Sequence, residues 1–146
     1  MNLEDILNLQ RLQCTGDISR AGWVVDQDEV LVAIDLLTIT LPVHIRFSTA
    51  IYTHGTHRNK TNKAHHITLD QNRELYLANF TLWHELVHCM QAERYAQQTG
   101  LPLVNFHKEY RRQGSYGQAY EGNIYEQEAN RLAAKHEHLL LLAYSP

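Results

Sequence analysis

His84-Glu85-Leu86-Val87-His88 lies in a stretch whose residues suit a helix. Two histidines four apart share one helical face, one turn above the other, so both imidazoles can reach a single metal ion. A glutamate beside the first histidine is placed to hold a metal-bound water and take its proton. The motif points to zinc chemistry and to hydrolysis. A chain of this length and composition contains the pattern by accident with a probability of roughly 5%, so its surroundings carry weight. Phe80-Thr81-Leu82-Trp83 leads in, and Val87, Met90 and Ala92 continue an apolar pattern on the other faces. Two histidines and a glutamate beside such a core stripe need a partner, and a metal supplies one.

The 146 residues suit one domain with one modest core, spanning residues 1–146. Hydrophobic residues make up 44% and charged residues 20%, as in a soluble globular protein. The formal charge of −3 argues against nucleic acid as the main partner. The basic run His57-Arg58-Asn59-Lys60-Thr61-Asn62-Lys63 reads as a solvated loop. No segment has the ~18 apolar residues of a membrane span, and the N-terminus lacks a signal-peptide pattern. We therefore expect a cytoplasmic protein with no prosegment. Cys14 and Cys89 are far apart in sequence. Cys89 points about 100° away from His88 on a helix and reads as a buried thiol rather than a ligand.

Residues 3–13 predict a short helix. Asp26 and Glu29 have capping-box spacing, and Val30, Ile34 and Leu37 share a face of the helix that would follow. Pro42 bars that helix from continuing past Thr40. Three extended segments come next, at residues 43–47, 50–54 and 65–69, with a hairpin loop between the last two. The loop histidines, with His65 and His66, form a weaker candidate for a second metal. The motif helix is expected to start between Asn72 and Phe80 and to stop at Gly100 and Pro102. Residues 101–122 read as irregular. Asn123 opens a last helix with Ala129, Leu132, Ala133, His136 and Leu140 as its apolar stripe.

A catalytic zinc takes three protein ligands and keeps one open position. The third must come from outside the motif helix, and the strongest candidate lies in Tyr125-Glu126-Gln127-Glu128-Ala129-Asn130-Arg131-Leu132-Ala133. Periodicity does not choose between Glu126 and Glu128, since each borders the apolar stripe. Asn123 and Glu126 also have capping-box spacing, and a glutamate used as a cap would leave Glu128 or Glu121 as the ligand.

A His-Glu-x-x-His helix followed by a helix carrying Glu-x-x-Ala-Asn resembles the gluzincin metallopeptidases. The likeness is greatest to the ImmA/IrrE-type proteins and to short phage-encoded metallopeptidases with a Trp-His-Glu-Leu-x-His helix. It covers residues 67–134. The resemblance implies His84, His88 and Glu126 as the zinc ligands, Glu85 as the catalytic base, and Asn130 as hydrogen-bond partner of a ligand histidine. It also implies that residues 66–69 form the cleft-lining edge strand. The fold expected is a small α+β zincin, a short twisted sheet packed on the motif helix and the C-terminal helix.

The activity expected is zinc-dependent cleavage of peptide or protein substrates, as an endopeptidase rather than an exopeptidase. Tyr110, Tyr116, Tyr120 and His107 lie on the connection near the cleft and read individually as packing or surface residues. The glycines near Tyr116 suit a mobile flap. Two other readings stand beside the peptidase. One is a zincin-fold regulatory or binding protein with little proteolytic activity. The other is a helical structural protein whose histidines serve packing.

Overall fold

The computed structural model describes residues 2–15, 27–48, 54–70, 75–114 and 120–144. They form a mixed α+β structure. Helix α1 (Leu3–Arg11) leads directly into strand β1 (Leu12–Thr15), and helix α2 spans Gln27–Leu36. Strands β2 (Val43–Ser48), β3 (Gly55–Arg58) and β4 (His65–Asp70) follow. The long helix α3 (Leu75–Thr99) carries the motif. A 3-10 turn at Leu103–Asn105 runs into α4 (Phe106–Gln113), and α5 (Ile124–Ala134) and α6 (His136–Tyr144) close the chain.

The sheet order is β1-β2-β4-β3. β1, β2 and β4 run parallel, and β3 lies antiparallel on the outer edge of β4. Period-two alternation sets the faces. Val43, Ile45 and Phe47 of β2 and His65, Ile67 and Leu69 of β4 are buried. β4 is therefore an interior strand, and β3 takes the edge position expected for residues 66–69. β3 also falls inside the expected loop. Of the expected strand at 50–54, residues 50–53 lie outside the described residues, and His54 is an exposed bend.

No glycine or proline interrupts α3, and its centre is covered on all sides. Residues 81–89 are all buried, with Leu86 and Val87 fully so. One side meets β3 and β4, and another meets α5. Burial of each such aliphatic side chain contributes about 1.5–3 kcal/mol. Gly100, at φ 72°, ends the helix with its N–H on the Ala96 carbonyl, a left-handed position that glycine takes without strain.

On α5, Ala129 and Ala133 are fully buried, and their small side chains let that helix lie close to α3. The expected single last helix breaks at Lys135, and α6 packs back on α2. α4 occupies the stretch expected to be irregular. Cys14 and Cys89 are free thiols, half-buried and fully buried. Among the described residues, no helix is long and apolar enough to cross a membrane.

Candidate metal centre

The helical spacing of His84 and His88 brings their Nε2 atoms to 3.1 Å of each other on one face of α3. Glu126 of α5 meets both. Its Oε2 lies 2.9 Å from His84 Nε2, and its Oε1 lies 2.9 Å from His88 Nε2. All three residues are buried. Burial alone would raise the Glu126 carboxyl, but hydrogen bonds from the two histidines override it and hold it far below the usual carboxylate range.

Capping does not take Glu126 away from this position. Asn123 caps α5, accepting the Tyr125 N–H at 2.9 Å. Its own N–H goes to the Tyr120 carbonyl, so no return bond from Glu126 is needed. Glu128 faces elsewhere, accepting from Arg94 at 2.6 Å and from Gln91 at 2.9 Å. Glu121 is exposed.

Gln91 fixes the orientation of His88. Its amide nitrogen donates to the Tyr125 carbonyl and to Glu128, so its oxygen faces His88 Nδ1 at 2.8 Å. With Nδ1–H donated to Gln91, the Nε2 proton now shared with Glu126 is the one an incoming ion would displace, leaving the Nε2 lone pair to the metal. This corrects the expectation for Asn130, which is exposed one turn beyond Glu126 on α5, while Gln91 meets His88 instead. The sequence held a signal for Gln91, since it follows His88 by three residues on one helix face.

Glu85 lies beside the histidines and is 5% exposed. Burial raises its carboxyl above the ordinary range, although His88 and His84 pull it down. Edge strand β3 passes next to it through Gly55. A Cβ there would lie 2.7 Å from Thr81 Cγ2 and 3.3 Å from Glu85 Cγ. Only glycine lets β3 approach α3 so closely.

A cavity of about 680 Å³ opens over these groups. β3 and the following turn form one wall, α4 another, and His84, Glu85, His88 and Glu126 line it. Tyr110 and Tyr120 donate to Glu126 at 2.5 and 2.7 Å. Burial and the adjacent carboxylate push both phenols well above their usual range. His107 accepts the Asn59 N–H at 3.1 Å and braces α4 to the end of β3. These three residues therefore join the site instead of packing elsewhere. Tyr116 and the glycine at 117 lie outside the described residues.

The second group of histidines divides across the sheet. His66 faces His44 at a 5.0 Å ring separation, while His57 and His65 meet beneath the cavity. Their ligand atoms and Cys89 Sγ lie within 4.8 Å of one another. Both nitrogens of His65 are engaged. Nε2 bonds Glu93 at 2.8 Å, and Nδ1 faces Asn59 Nδ2 at 2.9 Å and His57 Nε2 at 3.0 Å. Glu93 also accepts from the Thr40 N–H at 2.9 Å and the Thr40 hydroxyl at 2.6 Å. This polar network ties α3, β4, β3 and the segment ahead of β2 together.

The convergence at His84, His88 and Glu126 fits a metal. Tetrahedral ligands about 2.1 Å from a zinc ion are themselves about 3.4 Å apart. The donor atoms here are 2.9 to 3.1 Å apart, so a small outward movement admits the ion. Two imidazoles and a carboxylate match zinc's preference for nitrogen and oxygen donors. Comparison with family models, with curated proteins and with solved structures found no match to this chain.

Proposed function

We propose that the chain is a zinc-dependent peptidase of the zincin type, cleaving extended peptide or protein segments. The observation that carries this reading is the meeting of His84, His88 and Glu126 in a cavity also lined by Glu85. His84 and His88 of α3 and Glu126 of α5 would hold the zinc ion. When bound, the ion would acidify a water and polarise the substrate carbonyl.

The remaining chemistry belongs to the chain. Glu85, with its proton affinity raised by burial, takes the proton of the attacking water and passes it to the leaving amine. Tyr110 and Tyr120 are hydroxyl donors on the cavity wall, suited to the developing oxyanion once they are released from Glu126. Among the described residues β3 is the outer strand beside the cavity, and an extended peptide would add alongside it through its backbone. This mode selects unfolded segments and favours internal cleavage.

The test is hydrolysis of an unfolded protein and of quenched-fluorescence peptides by the zinc-loaded chain. Cleavage that a chelator abolishes and added zinc restores supports the reading. A zinc-loaded chain that cleaves none of them removes it.

A further inference from the structure

The cavity is lined by two sets of groups of opposite charge. The carboxylates of Glu85 and Glu126 lie at the histidine pair. The basic set is His107 with Arg58, Lys60 and Arg111, all lining the same cavity, His107 being separated from His88 by the His57 ring. Arg58 ends β3, and Arg111 stands one helical turn after His107 on α4. The Asn59–His107 hydrogen bond holds these two walls together, with Arg58 on one and Arg111 on the other. Burial together with Arg111, His88 and Arg58 pushes His107 down to about 4.

These cations are exposed, and none forms an ion pair among the described residues. The contrast with neighbouring Arg112 is direct, since Arg112 is neutralised by Glu109 at 2.7 Å. In a chain of formal charge −3, three cations lining one cavity with no ion pair among the described residues are not the general background.

We propose that this basic set forms a subsite for a carboxylate of the peptide substrate, supplied by an acidic side chain or by a chain terminus. The inference rests on the peptidase reading and names its substrate class. Spacing supports it. His88 and His57 have ring centroids 6.3 Å apart, and His57 stacks on His107 at 5.3 Å. An extended peptide advances about 3.3 Å per residue, so the subsite serves a group within about three residues of the cleaved bond. Arginine's planar fork suits a carboxylate in two-point contact.

The experiment compares quenched-fluorescence peptides that differ only by Glu or Gln at each of three positions on either side of the cleaved bond. A further pair carries a free or an amidated C-terminus. The zinc-loaded wild type is expected to favour one Glu position, or the free terminus, by about twofold to fivefold in kcat/KM. Which pair responds identifies the source of the carboxylate. The preference should fall with rising salt and disappear in Arg58→Glu/Arg111→Glu, whose folding is checked by its melting temperature. Equal kcat/KM across every pair, or an unchanged preference in the double variant, overturns the proposal. If the wild type cleaves nothing, the peptidase reading fails separately. Fluorescence anisotropy of the same labelled peptides on zinc-loaded Glu85→Gln then decides the subsite by the same ratio of Kd.

Discussion

Gln91 faces His88 Nδ1 at 2.8 Å while its amide nitrogen is held by Glu128 and the Tyr125 carbonyl. One side chain thus links the orientation of a candidate ligand to α5, the helix that delivers Glu126. Gln91→Ala should leave all three candidate ligands in place yet weaken zinc affinity by roughly 10- to 100-fold. Competition with a chromophoric chelator measures it. Unchanged affinity would show that Gln91 plays no part in orienting His88.

In the proposed mechanism Glu85 moves the proton and leaves the ion to the histidines and Glu126, although its carboxylate lies within 4.8 Å of the histidine nitrogens. Glu85→Gln should bind zinc as the wild type does and hydrolyse peptides roughly 10²- to 10⁴-fold more slowly. Zinc content and turnover are read on the same preparation. Wild-type turnover in this variant would assign the base elsewhere.

Gly55 has no room for a side chain, with Thr81, Leu69 and Glu85 around it. Gly55→Ala should cost about 1–3 kcal/mol of stability. It should also reduce turnover, because β3 and Glu85 are forced apart. Chemical denaturation and peptide hydrolysis test the two parts. A neutral substitution would mean that β3 is free to move away from α3.

Glu93 gives a pH dependence whose sign is fixed by its surroundings. Burial alone would raise its carboxyl, but hydrogen bonds from His65 and Thr40 hold it below the ordinary value of 4.5. A depressed carboxyl contributes stability above the unfolded pKa, and that stability is lost as pH falls through the folded one. Wild-type stability should therefore decline as pH drops below about 4.5. Glu93→Gln should be less stable at pH 7 by about 1.5–3 kcal/mol and decline less steeply on the acid side. Denaturant titrations across pH check this. Parallel curves for the two proteins would contradict it.

The motif helix and strands β2 and β4 were legible because their apolar residues recur at 3.6 or at two over enough positions. Edge strand β3 was not. Gly55-Thr56-His57-Arg58 has no alternating apolar pattern, and its pairing with β4 places it in the sheet. β1 was hidden because it continues α1 without a break. Helix α4 buries only Phe106 fully, too little for a periodic signal. In the site, helical spacing paired His84 with His88, but it left Glu126 and Glu128 equivalent. What separates them is tertiary: Arg94 and Gln91 engage Glu128, while Glu126 faces the histidines. Tyr110 and Tyr120 reach Glu126 only through the packing of α4 beside α5, which no local pattern announces.

Metal analysis of the purified wild type beside Glu126→Gln and Glu128→Gln tests the centre most directly. The account predicts one tightly held zinc per chain in the wild type, its loss in Glu126→Gln, and its retention in Glu128→Gln. A wild type that holds no metal after zinc loading, or zinc that survives in Glu126→Gln and leaves with Glu128, would contradict it.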